Sequence, residues 1–263
     1  RRPPRSPLFP YTTLFRSIIT AFEQKYDVEV VQNYYNSLPE MFAKLNAGGA
    51  SQYDIIVPSN YYVPRLIETG LVQKLDHAKI PNLANVKEQF QDPSFDPGSA
   101  YSAPYQWGTT GMVYNTDTFP DAPNSWSLMF DPEVNPDYPF AIMGDGQVAI
   151  GAACGALGKP YDCDTLDSWR EAAKLMIETK SRDNFSGFTD GTPALQQLAR
   201  GVTHVGMSYN GDYLYFKGED PEAFEHLAFA IPDAGAEMWV DSMMRSEARR
   251  VGEGWRARWS PYH

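Results

Sequence analysis

The chain has 263 residues, with 22 Lys+Arg against 33 Asp+Glu, 43% hydrophobic and 14% aromatic content, a composition that excludes disordered, fibrous and low-complexity classes. Its net charge of −11 argues against a nucleic-acid partner, and two cysteines are too few for a disulfide-stapled scaffold. The longest uncharged apolar stretch, residues 148–158, falls well short of the roughly 20 residues that a membrane-spanning helix needs.

The two ends differ from the middle. Residues 1–17 hold four Arg and no acid, and residues 245–263 hold five Arg and two Glu. The string LFPYTTLFRS (residues 8–17) resembles a translated sequencing adapter, and RSEARRVGEG (residues 245–254) resembles its reverse complement. Both ends are therefore read as non-native and set aside. Residues 18–244 then carry 13 Lys+Arg against 31 Asp+Glu, a net charge of −18.

Ile18, Phe22 and Tyr26 recur at helical spacing, and Val28, Val30 and Val31 follow as a strand. Ser37 and Glu40 form an S-x-x-E capping box ahead of Leu38, Met41, Phe42 and Leu45, which fall at i, i+3, i+4, i+7, with Gly48 as the stop. The run Ile55-Ile56-Val57, ended by Pro58, predicts a strand buried on both faces of a parallel sheet. A helix over 62–69 stops at Gly70. Residues 91–127, rich in Pro, Gly, Asp and Tyr, read as a connection between two lobes that crosses near Trp107.

Beyond the crossing, a strand is expected over 140–143, helices over 148–157 and 166–179, and a helix opened by Thr192 and Pro193 and closed by Gly201. Strands over 202–209 and 227–231 flank a helix started by Pro221, and 238–243 forms a last strand. The alternation predicts an α/β fold whose sheets are mainly parallel and flanked by helices. The expected division is a first lobe over 18–107, incomplete, a second over 108–241, and a return toward the first over 242–244.

Catalytic and cofactor motifs are largely missing from the sequence: it has no G-x-S-x-G, H-E-x-x-H, Walker-type loop or C-x-x-C. No cofactor is called for. Gly144-Asp-Gly146-Gln-Val-Ala149 fits G-x-G-x-x-A, but Asp145 would place a carboxylate where a pyrophosphate has to sit, and 165–169 opens a helix where an acidic strand end is required. The turn reads better as a ligand-facing loop at the carboxyl edge of a sheet, with a helix cap as the alternative. Ser59 occupies an equivalent turn in the first lobe, followed by Asn60, Tyr61 and Tyr62. Trp239 and Asp241 alternate onto one strand face, a cradle for an alkylammonium group or a core ring beside a surface carboxylate. Cys154 and Cys163 read equally as a pair or as two buried thiols.

The segments YDIIVPSNYYVPRLIETGLVQKLD (53–76), YSAPYQWGTTGMVYN (101–115), VGMSYNGD (205–212) and MWVDSMM (238–244) resemble the spermidine/putrescine-binding proteins of polyamine ABC transporters. The resemblance covers nearly all of 18–244. It implies a two-lobed periplasmic-binding fold of type II, truncated at both ends. In such a protein Ser59 and Tyr61 line the cleft from the first lobe, and Asp145 pairs with one amine. Tyr209 takes a position usually filled by Trp, and Trp239 and Asp241 supply a stacking face and a second ammonium partner. The chain departs from the pattern at Val148, where spermidine binders have Glu, which makes a diamine as plausible as spermidine. The family's first strand, with its aromatic pair, should precede Ile18, and a segment completing the first lobe should follow Met244.

The implied mechanism is binding without chemistry, in which hinge closure buries the polyamine and presents both lobes to ABC permease subunits. The expected setting is periplasmic, or extracellular and lipid-anchored in a Gram-positive source, with the chain acting as a monomer. A carbohydrate-active enzyme using a carboxylate pair is the rival of another class. A further rival keeps the fold and exchanges the ligand for ferric iron or an organophosphonate.

Overall fold

The structure, a computed structural model, describes residues 10–35 and 37–247. The chain divides into two compact units, one ending at Asn36 and the other beginning at Ser37. The first is built on helix α1 (Pro10–Tyr26), which starts inside the segment set aside on composition. Phe22 and Tyr26 pack ring to ring at 4.7 Å, as an i, i+4 pair should. Val28, Val30 and Val31 do not form the expected strand. The Val30 N–H is taken by Glu23 Oε1 at 2.7 Å, and among the described residues this segment lies on no ladder.

The second unit holds the remaining elements. They are α2 (Leu38–Asn46), β1 (Ile55–Ile56), α3 (Val63–Glu68), β2 (Val72–Gln73), β3 (Ser102–Asn115), α4 (Ser127–Phe130), β4 (Phe140–Met143) and α5 (Gly146–Ala156). There follow α6 (Leu166–Lys180), β5 (Phe185–Thr189), α7 (Gly191–Ala199), β6 (Val205–Tyr209), α8 (Asn210–Glu219), β7 (Leu227–Ala230) and β8 (Met238–Ser246). Ser37 Oγ accepts the Glu40 N–H at 3.3 Å and opens α2 as its capping pattern predicts. Gly48, at φ 92°, turns the chain out of that helix.

The sheet runs β1-β8-β3-β6-β4-β5, with β2 also on β8 and β7 also on β3. It is not mainly parallel. Only β4 with β5 and β4 with β6 run parallel, and the other pairings are antiparallel. Parallel pairing requires a long crossover, and here only the α5–α6 and α7 connections return the chain in that sense. The run Ile55-Ile56-Val57 is correspondingly corrected: two residues pair antiparallel with β8, and Ile55 is 59% exposed while Ile56 is buried. The passage near Trp107 is no loop. β3 is continuous there, with residues 102–109 on β8 and residues 110–115 on β6 and β7.

Pro221 starts no helix; residues 221–226 form turns, and the helix of this region is α8, just upstream. Its Asn-Gly-Asp start reads as a turn, and Tyr213 is its single buried side chain. β8 extends through Arg245 and Ser246, into the segment whose composition reads as non-native.

One core gathers Leu38, Leu45, Ile56, Val63, Leu66 and Met244. A second collects Trp126, Phe140, Ile142, Met143, Ala152 and Met207, and a third joins Val113, Leu195, Leu198 and Phe224. Each such fully buried large side chain contributes roughly 1.5–3 kcal/mol. Cys154 and Cys163 form a disulfide inside the second core, with Cα atoms 5.8 Å apart.

Candidate functional site

Because β4 runs parallel to both β5 and β6, the carboxyl ends of all three lie at one edge, where open α/β sheets place ligand-facing groups. Asp145 follows β4, Asp190 follows β5 and Tyr209 closes β6. Asp145 does both things its turn allows. Oδ1 caps α5 by accepting the N–H groups of Gln147 at 2.9 Å and Val148 at 3.2 Å. Oδ2 accepts the Tyr61 hydroxyl at 2.9 Å from a turn 84 residues earlier.

The second carboxylate is fixed from two sides. Ser59 forms an antiparallel bridge with Asp241, and its hydroxyl donates to Oδ1 at 2.6 Å. Gln106 Nε2 donates to Oδ2 at 2.8 Å, across the register that pairs β3 with β8. Among the described residues, no Lys or Arg lies within ion-pair distance of Asp145 or Asp241. Neutral donors orient both groups and leave their charge uncompensated.

Tyr209 and Trp239 meet edge to face, with centroids 5.8 Å apart and planes at 85°. Both rings lie over glycine. A Cβ on Gly108 would fall 2.4 Å from the Trp239 ring, and one on Gly191 would fall 2.8 Å from the Tyr209 ring. Only a residue without a side chain lets either ring sit so close to the backbone. The six residues expected from sequence thus come together as three contacts: Ser59 with Asp241, Tyr61 with Asp145, and Tyr209 with Trp239.

Glu237 links these pairs and was missed. Residue 237 stands just ahead of β8, at the position that extends the alternation of 239 and 241 by one step, so the signal was present. Burial pushes its carboxyl up to about 7, with Asp145 and Asp241 adding to the rise and the Thr110 hydroxyl, donating to Oε2 at 3.1 Å, opposing it. The Tyr61 hydroxyl is pushed far up by burial, then by Asp145 and Glu237. Burial likewise raises Tyr209, with Asp190, Glu237, Asp145 and Asp212 contributing. Asp212 is itself raised by burial and accepts the Thr192 hydroxyl at 2.5 Å. Carboxylates held by neutral donors beside aromatic faces can receive ammonium groups through charge-assisted hydrogen bonds and cation–π contact.

Residues 17–246 match the family described as bacterial extracellular solute-binding protein. The putrescine/cadaverine-binding protein of Pseudomonas aeruginosa is 34% identical over 231 residues, covering 85% of this chain and 64% of the relative. The spermidine/putrescine-binding periplasmic protein of Salmonella typhimurium is 29% identical, covering 86% and 63%. The chain therefore spans just under two thirds of the length of these relatives. Among solved structures, the TpPotD lipoprotein of Treponema pallidum superposes with a TM-score of 0.77 at 32% identity, covering 89% of this chain and 72% of that one. A putative spermidine/putrescine ABC transporter protein from Listeria monocytogenes gives 0.75 at 28% identity, covering 88% and 69%. With mixed α/β architecture, a shared periplasmic-binding-protein fold and a family match over most of its length, the chain belongs to the bacterial extracellular solute-binding protein family.

Proposed function

We propose that this chain is the binding part of an ABC importer that captures a polyamine, putrescine or spermidine, and delivers it to membrane permease subunits. The observation that carries the reading is the pair Asp145 and Asp241, each oriented by neutral hydroxyl or amide donors, with no cationic side chain in ion-pair range among the described residues. Ammonium groups meet these two carboxylates, and the methylene stem lies along Tyr61, Tyr209 and Trp239. The names of the relatives support the same ligand class. The protein closes on the ligand as a two-lobed clamp. The protein acts as a monomer and catalyses no reaction. Its place is the periplasm, or the outer face of a Gram-positive cell through a lipid anchor, in keeping with periplasmic and lipoprotein relatives.

Calorimetric titration and thermal shift of the 263-residue chain against putrescine, spermidine and glucose test this. A polyamine at about 100 times Kd stabilises the folded state by about 2.7 kcal/mol, a rise of several degrees in Tm. Glucose leaves Tm in place. A shift with the sugar and none with either polyamine overturns the proposal.

A further inference from the structure

Glu237 stands immediately before β8, two residues ahead of Trp239 and four ahead of Asp241. Its backbone is pinned to β3, its carbonyl accepting the Thr110 N–H at 3.0 Å, while the Thr110 hydroxyl holds Oε2. Oε1 is sealed from solvent and has no hydrogen-bond partner among the described residues. A buried acceptor left without a donor is unfavourable and calls for an explanation. The titratable groups near enough to interact with it electrostatically are the phenols of Tyr61, Tyr161 and Tyr209 and the carboxylates of Asp145 and Asp241. Asp190 and Asp212 reach the same cluster through Tyr209. Among the described residues, no Lys, Arg or His contributes to the rise of the Glu237 carboxyl. A positively charged donor is what this environment lacks.

We propose that Glu237 is a third ammonium ligand of this constellation and that it favours an occupant with three ammonium groups over one with two. The inference rests on the polyamine reading above. With Glu237 protonated, Asp145 and Asp241 present two negative charges, the complement of a diamine. With Glu237 ionised the site presents three, the complement of a triamine. Because the carboxyl sits at about 7 when the site is empty, triamine binding drives its ionisation. The carboxylic acid and the incoming ammonium become a carboxylate–ammonium pair, and the proton passes to solvent. A diamine leaves that proton in place. Triamine affinity therefore falls as pH drops below about 7, approaching about tenfold per pH unit, while diamine affinity responds far less.

Calorimetry of the 263-residue chain with spermidine and with putrescine, at pH 7 in phosphate and in Tris, counts the protons released. Spermidine should release about half a proton per molecule bound and putrescine close to none. Glu237→Gln, which keeps shape and removes the charge, should abolish the buffer dependence and weaken spermidine about tenfold more than putrescine. Thr110→Val removes the hydrogen bond that favours the ionised form, so its spermidine complex should release a larger fraction of a proton at pH 7. A melting curve confirms that each variant is folded. If both polyamines bind and Glu237→Gln leaves their affinity ratio and the proton count unchanged, this inference falls while the polyamine reading stands. If neither polyamine binds the unsubstituted chain, the polyamine reading itself falls, and this inference with it.

Discussion

The buried carboxyl of Glu237 leaves a signature in stability that needs no ligand. An unfolded chain ionises this group at about 4.5, and the folded protein at about 7. At about 1.4 kcal/mol per pH unit, the gap amounts to about 3.5 kcal/mol, which partial solvent contact reduces to roughly 2 kcal/mol. The sign follows from proton counting. Below pH 4.5 both states hold the proton. Between 4.5 and 7 the folded state keeps a proton that the unfolded state releases, so rising pH favours unfolding, and above 7 the full destabilisation is in place. Glu237→Gln removes the titration. At pH 8 the ligand-free variant should melt about 4–8 °C above the unsubstituted chain, as roughly 2 kcal/mol implies for a domain of this size. At pH 5 the difference should shrink to about a quarter. A variant that melts lower at pH 8, or an offset that does not vary with pH, refutes the reasoning.

Asp241→Asn keeps an acceptor for Ser59 but removes a full charge, so polyamine Kd measured by calorimetry should rise about 10- to 100-fold, with Tm within about 3 °C of the parent. Gly108→Ala drives a methyl into the Trp239 ring. It should destabilise by about 1–3 kcal/mol, lower polyamine affinity and alter tryptophan fluorescence, and unchanged emission with unchanged affinity would contradict the packing described. Replacing Cys154 and Cys163 with Ser opens a short loop of sequence separation 9. Chain entropy puts the loss at about 2–3 kcal/mol, visible as an equal drop in Tm for the double variant and for the parent under reductant.

Local chemistry in the sequence anticipated the structure best where a single residue type leaves few options. Ser37 with Glu40 placed the start of α2, and Gly48 and Gly70 adopt the left-handed backbone that ends a helix. The strand at Phe140 and the helices after it stood out because apolar runs were bounded by clear caps. Strand direction was not legible, because β3 and β8 draw their partners from distant parts of the chain and no local pattern records that pairing. The Val28–Val31 segment has the composition of a strand, but a ladder also needs a neighbour. At the site, Asp145 was legible as a carboxylate at a strand-to-helix turn, while its bond to Tyr61 spans 84 residues and only the fold reveals it. Glu237 was passed over because it precedes the strand's first residue, although its alternation with Trp239 and Asp241 was open to view.

The unbroken course of β3 has a mechanical consequence. A pleated strand is stiff along its length and yields chiefly by changing its twist. Thr109 and Thr110 exchange ladder partners within one peptide unit, from β8 to β6, and Trp239 rests on Gly108 beside that junction. A change in the twist of β3 at this junction would be felt first by the Trp239 ring, which lies against Gly108. The same two ladders are joined a second time through residues 231–237, which hold neither helix nor strand between β7 and β8, so β3 is the stiffer of the two crossings.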